Sequence, residues 1–268
     1  MRRYALALRS FFDLSRPGID DSLSLVACWR NIRIKMPDAV TIQQMFAEVA
    51  PGYDRANRAL SMGIDIRWRK RTVKTVGLQQ GERGLDVCSG TGDLCFALAQ
   101  AGAAMIGADF CAPMLAHTHH KQPPKGARSG FLAADAMNLP FGDAQFDFTT
   151  VAFGIRNVAD PVVALREMAR VVRPGGRVVV LEFCKPRVPV FASLYGFYFR
   201  KVLPRLGKWI SGAKNDAYRY LHDSVQAFPE RKAFLELMQE AGLQSPRQQL
   251  LTGGIAAIYR GEVPKVSS

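Results

Sequence analysis

Residues Asp86-Val-Cys-Ser-Gly90-Thr91-Gly92-Asp93 read as a strand end, a glycine-rich turn and a helix start. Glycines at such a turn let the backbone come close to a ligand. The dinucleotide fingerprint needs a third glycine three residues after the second. Cys95 stands there, and no lysine makes the turn a phosphate-cradling P-loop. An acid ahead of the turn, Asp86, suits a ligand with an amino-acid cation and no phosphate. S-adenosylmethionine (SAM) is such a ligand. Asp109 follows 17 residues after Gly92, where a carboxylate accepts from both ribose hydroxyls. Asp135, followed by Ala136, comes at the end of a third strand, where an adenine edge would lie. A lone glycine turn is as well explained by a plain βα connection. Three acids at successive strand ends converge on one crevice and favour SAM.

The elements that must position these residues alternate. Short apolar β-type runs at 84–88, 105–109, 130–135, 146–153 and 177–183 are separated by helical patterns at 92–101, 113–120 and 161–172. Continuous apolar strands alternating with helices predict an α/β fold, a Rossmann-like parallel sheet covered on both faces. Residues 248–251 and 254–260 flank Thr252-Gly253 and predict an antiparallel hairpin closing the sheet. Residues 36–80 and 185–245 read as helical additions, with a lid around 185–228.

Composition sets outer bounds. With 268 residues, 48% hydrophobic and 22% charged, the chain is not disordered, collagen-like or a disulfide miniprotein. The basic excess of +13 admits nucleic acid, a membrane surface or an anionic substrate. It is unevenly spread: residues 1–35 carry +4, residues 185–219 carry +7, and the rest carries +2. Five cysteines without a CxxC pair read as reduced thiols, with neither a disulfide framework nor a metal site. No apolar run reaches the roughly 18 residues that span a bilayer. Residues 1–35 lack a secretory cleavage pattern and carry Asp13, Asp20 and Asp21, which a mitochondrial transit peptide would avoid. They read as an extension, disordered or not native, ahead of a single domain over 36–268.

Several further segments resemble one family. They are Tyr53-Asp-Arg-Ala-Asn57 with Ser61-Met-Gly63 and Trp68-Arg69, the Asp86–Asp93 turn, Asp135-Ala-Met-Asn-Leu-Pro-Phe141, Phe153-Gly-Ile-Arg-Asn-Val158, Arg170–Arg177, Leu181-Glu-Phe183, and Tyr218-Arg-Tyr-Leu221. Together they resemble the ubiquinone/menaquinone biosynthesis C-methyltransferases, within the class I SAM-dependent methyltransferases, from about residue 40 to 261. Where some members carry a serine before Phe-Gly, this chain has Ala152. The resemblance implies methyl transfer from SAM to a ring carbon of a polyprenylated quinol. Demethylmenaquinol is favoured, and the demethylated ubiquinone precursor is the alternative.

Such chemistry needs in-line alignment, exclusion of water and stabilisation of phenolate-like charge. Positions after strand four face the methyl group in this architecture. Arg156 is therefore expected to stabilise the oxyanion, with Asn157 orienting it and Tyr53 and Asp54 completing the hydrogen-bond network. The cofactor residues are expected to be Asp86, Gly90, Thr91, Gly92, Asp109, Asp135 and Ala136. His222, near Tyr218 and Tyr220, is a candidate proton shuttle, while His117, His119 and His120 read as a solvated helix end.

Residues 185–219 combine Phe191, Tyr195, Tyr198 and Trp209 with Arg200, Lys201, Arg205 and Lys208, as a lid touching anionic lipid would. This predicts a cytoplasmic enzyme, peripheral at the inner face of the membrane, and leaves a homodimer open. Nucleic acid is not expected as partner: an RNA methyltransferase acting on a base nitrogen often carries an Asn/Asp-Pro-Pro-aromatic segment where this chain has Ala152-Phe153-Gly154-Ile155. The intact acid and glycine positions argue against a non-catalytic SAM-binding scaffold.

Overall fold

The computed structural model describes residues 39–121, 126, 128–186 and 216–265. The chain divides between Lys35 and Met36 into two units, and every described residue belongs to the second. The expected N-terminal extension and the basic residues Arg200, Lys201, Arg205 and Lys208 lie outside the described residues.

Three helices come first: α1 (Ala39–Val49), α2 (Tyr53–Leu60) and α3 (Ile64–Val76). The alternating core follows as β1 (Arg83–Val87), α4 (Asp93–Gln100), β2 (Ala104–Asp109), α5 (Ala112–Ala116), β3 (Arg128–Ala133), β4 (Phe146–Ala152), α6 (Pro161–Arg170) and β5 (Val172–Phe183). After the undescribed stretch come α7 (Asp216–Ala227), α8 (Lys232–Glu240), β6 (Gln244–Leu251) and β7 (Ala256–Glu262).

The strands form one sheet in the order β3-β2-β1-β4-β5-β7-β6. Strands β1 to β5 pair in parallel, and β7 runs antiparallel between β5 and β6. This is the Rossmann-like arrangement of class I SAM-dependent methyltransferases, with the predicted hairpin closing it. The order reverses at β1, whose neighbours are β2 and β4, and ligands of open α/β sheets bind outside the strand ends at such a switch point.

Period-two alternation divides the core between the two faces. On β5, Val179 and Leu181 pack with Trp68 and Val76 of α3 and Leu94 and Leu98 of α4. Val178 and Val180, equally buried, point the other way. On that second face, Tyr259 of β7 stacks against Phe234 of α8 at 4.6 Å between ring centres. The start of α6 is fixed locally: Asp160 accepts from the backbone N–H groups of Val162 (2.9 Å) and Val163 (3.2 Å), and Pro161 opens the helix.

Some boundaries differ from the sequence expectation. The third strand stops at Ala133, and Asp135 lies beyond it, bridged to Asn138 in a tight turn. The helix expected over 113–120 ends at Ala116 and continues as a 3-10 turn over His117–His120. The fifth strand starts at Val172, because a bulge between Phe146 and Phe148 lets it pair before the Pro-Gly-Gly segment.

Candidate active site

A cavity of about 910 Å³, including its open mouth, lies at the carboxyl ends of β1, β2 and β4. Gly90, Asp109, Asp135 and Ala136 line it from the strand ends, and Tyr53 and Asn157 line it from α2 and from the turn after β4. The remaining wall is largely apolar, with Phe46, Phe110, Met114, Met137 and Phe153. Six of the ten expected site residues therefore meet at one cavity. Asp86, Thr91, Gly92 and Arg156 do not line it.

The glycine turn is held by the acid of the neighbouring strand. Asp109 accepts from the Gly90 N–H (2.7 Å) with one carboxylate oxygen and from the Cys111 N–H (2.7 Å) with the other. Burial pushes its pKa up, and those two N–H groups oppose the rise. Gly90 and Gly92 both take positive φ, 55° and 82°, which accounts for glycine at both places. A Cβ on Gly92 would also lie 2.8 Å from the Phe131 ring.

Asp86 sits one layer behind the turn. It is 1% exposed and accepts from the Thr150 hydroxyl at 2.6 Å. Burial raises its pKa to about 7, against the opposing pull of that hydroxyl and of Arg69. It also accepts from the Cys95 N–H near the start of α4. Thr91 points away from the cavity towards α2. Its hydroxyl donates to Asp54 (2.6 Å) and accepts from Lys121 (2.9 Å), while Lys121 also pairs with Asp54 (2.7 Å) and Asp93 (2.5 Å). Burial pushes the Asp93 carboxyl up, but Arg69, Lys121 and Arg58 outweigh it and hold the pKa below its ordinary value.

Arg156 is buried behind the cavity. Its guanidinium donates to Glu182 at 2.9 Å and to the Phe153 carbonyl, and it lies over the Phe183 ring at 5.4 Å. Glu182 is on β5, so this contact depends on the pairing of β4 with β5. Burial lifts the Glu182 pKa, with the Arg156 charge pulling the other way. Asn157 closes a 3-10 turn over Ile155–Asn157 that projects its side chain into the cavity. Burial raises the Tyr53 pKa, and Asn57, Arg156 and Arg69 act against the rise.

The structure adds lining residues that sequence reasoning missed. Cys88 and Phe153 both have positive φ, 52° and 59°, and both line the cavity at the strand ends. Gly154 packs closely on Cys88, since a Cβ there would come within 2.3 Å of the Cys88 Cβ. Ala152, where some relatives have a serine, lines the cavity with a methyl group. Gln43 of α1 donates to the Phe110 carbonyl at 3.0 Å, so α1 forms part of the mouth. Only the apolar face of 39–49 hinted at that role.

The donor set fits SAM. A glycine without a side chain, two acids and flat apolar walls suit a ribose, an adenine and a sulfonium, and among the described residues no cationic side chain lines the cavity. Residues 34–263 match the model of the ubiE/COQ5 methyltransferase family. The chain belongs to that family. Among the relatives of this family member, the ubiquinone/menaquinone biosynthesis C-methyltransferase UbiE of Bdellovibrio bacteriovorus is 47% identical, covering 85% of this chain and 97% of its own. The demethylmenaquinone methyltransferase of Thermus thermophilus is 50% identical, covering 82% of this chain and all of its own. Among solved structures, a SAM-dependent methyltransferase of Thermotoga maritima superposes with a TM-score of 0.57 at 20% identity, covering 82% of this chain and 98% of that one. That likeness is one of fold.

Proposed function

We propose that this methyltransferase transfers the methyl group of SAM to a ring carbon of a polyprenylated quinol, with demethylmenaquinol as acceptor. The observation that carries the reading is the composition of one cavity: acids and a glycine turn on one side, Tyr53, Asn157 and aromatic walls on the other. The relatives from Bdellovibrio and Thermus carry names from quinone biosynthesis, and the Thermus name favours the menaquinone branch.

Bound SAM supplies an electrophilic sulfonium methyl. The residues of this chain do the rest. Asp109 and Asp135 hold the ribose and adenine, Gly90 lets the backbone close on the ligand, and Phe110 and Met114 exclude water. Asp86 and Thr91 hold the turn in shape from behind. Tyr53 and Asn157 face the acceptor ring and hydrogen-bond the oxygen that becomes phenolate-like as its carbon attacks. Arg156 acts through charge: burial raises the Tyr53 and Tyr220 pKa values, and the guanidinium opposes part of that rise. Among the described residues no helix is long and apolar enough to cross a membrane. A substrate with a prenyl tail is reached from the bilayer surface, for which the basic, aromatic stretch 185–219 is suited by its sequence.

Methyl-labelled SAM and demethylmenaquinol in a single-turnover assay test the reading. Label in the quinol is expected. No label in demethylmenaquinol, with label appearing in the ubiquinone precursor or in RNA, would overturn it.

A further inference from the structure

Tyr220 lies on α7, and its hydroxyl is 3.0 Å from Oδ1 of Asn157. Asn157 ends the 3-10 turn after β4 and lines the cavity. We propose that Tyr220 is a positioning residue for methyl transfer: its hydroxyl donates to Asn157 Oδ1 and thereby turns the Asn157 amide NH2 towards the acceptor oxygen.

A carboxamide has one accepting end and one donating end. When the accepting end is engaged by a phenol, the donating end remains for the cavity. A donor is what a ring oxygen gaining negative charge requires, whereas the reversed amide would present a carbonyl dipole of the wrong sign. The rest of the turn is already held. The Asn157 N–H donates to the Gly154 carbonyl at 3.0 Å, and Arg156 ties the turn to Glu182 at 2.9 Å. The side-chain torsion of Asn157 is the freedom left, and Tyr220 restrains it. Burial keeps the phenol in its donating form: it raises the pKa, Glu182 adds to the rise and Arg156 opposes it. The hydrogen bond also connects α7, the helix after the basic stretch, to the turn that faces the reaction. None of the sequence motifs marked Tyr220 for this role, because its partner is 63 residues away.

The reactive part of this inference rests on the quinol reading above; the amide orientation does not. Two measurements therefore go together. In the full-length protein labelled with 15N, the Asn157 side-chain amide signal, assigned by its loss in Asn157→Ala, is expected to shift in Tyr220→Phe. An unshifted signal overturns the proposal, whatever substrate is used. In single-turnover assays with demethylmenaquinol, Tyr220→Phe should lower the rate about tenfold while leaving the dissociation constant of SAM within twofold. The same change in an Asn157→Ala background should have little further effect. A wild-type rate in Tyr220→Phe, or an equal loss in both backgrounds, also overturns it. Absence of turnover by the wild-type enzyme, with the amide signal shifted, sinks the quinol reading and keeps the positioning role.

Discussion

Thr91, in the glycine turn, donates its hydroxyl to Asp54 of α2 across 2.6 Å, and Lys121 bridges the same two residues. The turn that faces the cofactor is thus tied to the helix that brings Tyr53 to the acceptor side. Thr91 and Tyr53 are linked through Asp54, the residue next to Tyr53. A change at Thr91 should therefore reach both halves of the cavity.

Thr91→Val keeps the shape and removes the hydroxyl. Leaving Asp54 and Lys121 without that partner should cost about 1 kcal/mol, which is about a fivefold loss in affinity for S-adenosylhomocysteine. Titration calorimetry measures it. An unchanged affinity would show that the tie is not transmitted to the ligand.

Asp109 holds the turn through two N–H groups and also faces the cavity. Asp109→Ala should remove charge-assisted hydrogen bonds of about 1.5–3 kcal/mol each, and SAM binding should fall by more than tenfold. Asp135→Ala should weaken SAM less, because Asp135 already accepts from the Met137 N–H within its own turn and leaves the Gly90 turn intact. Equilibrium binding to both variants gives the order.

Asp86 sets a pH dependence of stability. Burial raises its pKa in the folded chain from 3.8 to about 7. Between these values the folded state holds a proton that the unfolded state has released, so this group makes stability fall as pH rises from about 4 to 7. Asp93 and Glu82, held below their ordinary values, act with the opposite sign and at lower pH. Asp86→Asn removes the falling component. Thermal melts of the two proteins from pH 4 to 8 should converge at low pH and separate towards neutrality, with the variant higher.

Gly154→Ala places a Cβ within 2.3 Å of the Cys88 Cβ. The Cys88 Cβ is not a flexible chain end, so the strand ends must shift, at a cost of about 1–3 kcal/mol. A lower melting temperature and a slower methyl transfer are expected. Gly130→Ala, with no atom within 4 Å of the added Cβ, is the control and should leave both nearly unchanged.

Neutralising Arg200, Lys201, Arg205 and Lys208 tests the membrane contact. Flotation with liposomes containing anionic lipid should fall, and flotation with neutral liposomes should not change. Equal binding by the wild-type and altered proteins would remove the basic stretch from the membrane surface.

The local patterns of the sequence determined the alternation of strands and helices, the glycine turn and the closing hairpin. Each of these rests on short-range rules: apolar periodicity, the backbone freedom of Gly90 and Gly92, and the turn at Thr252-Gly253. The relation of Asp109 to Gly90 was also legible, because successive parallel strands bring their ends to one edge. Which way each side chain faces is set by packing between segments far apart in the chain. Arg156 follows strand four as expected, yet its guanidinium meets Glu182, which is 26 residues away and beside it only through the register of β4 and β5. Asp86, near the end of β1, and Thr91, in the turn, flank Gly90, but one meets Thr150 of β4 and the other Asp54 of α2. The sharing of Asn157 with Tyr220 depends on α7 packing against the turn after β4. Such contacts arise when distant segments pack, and sequence spacing carries no direct record of them.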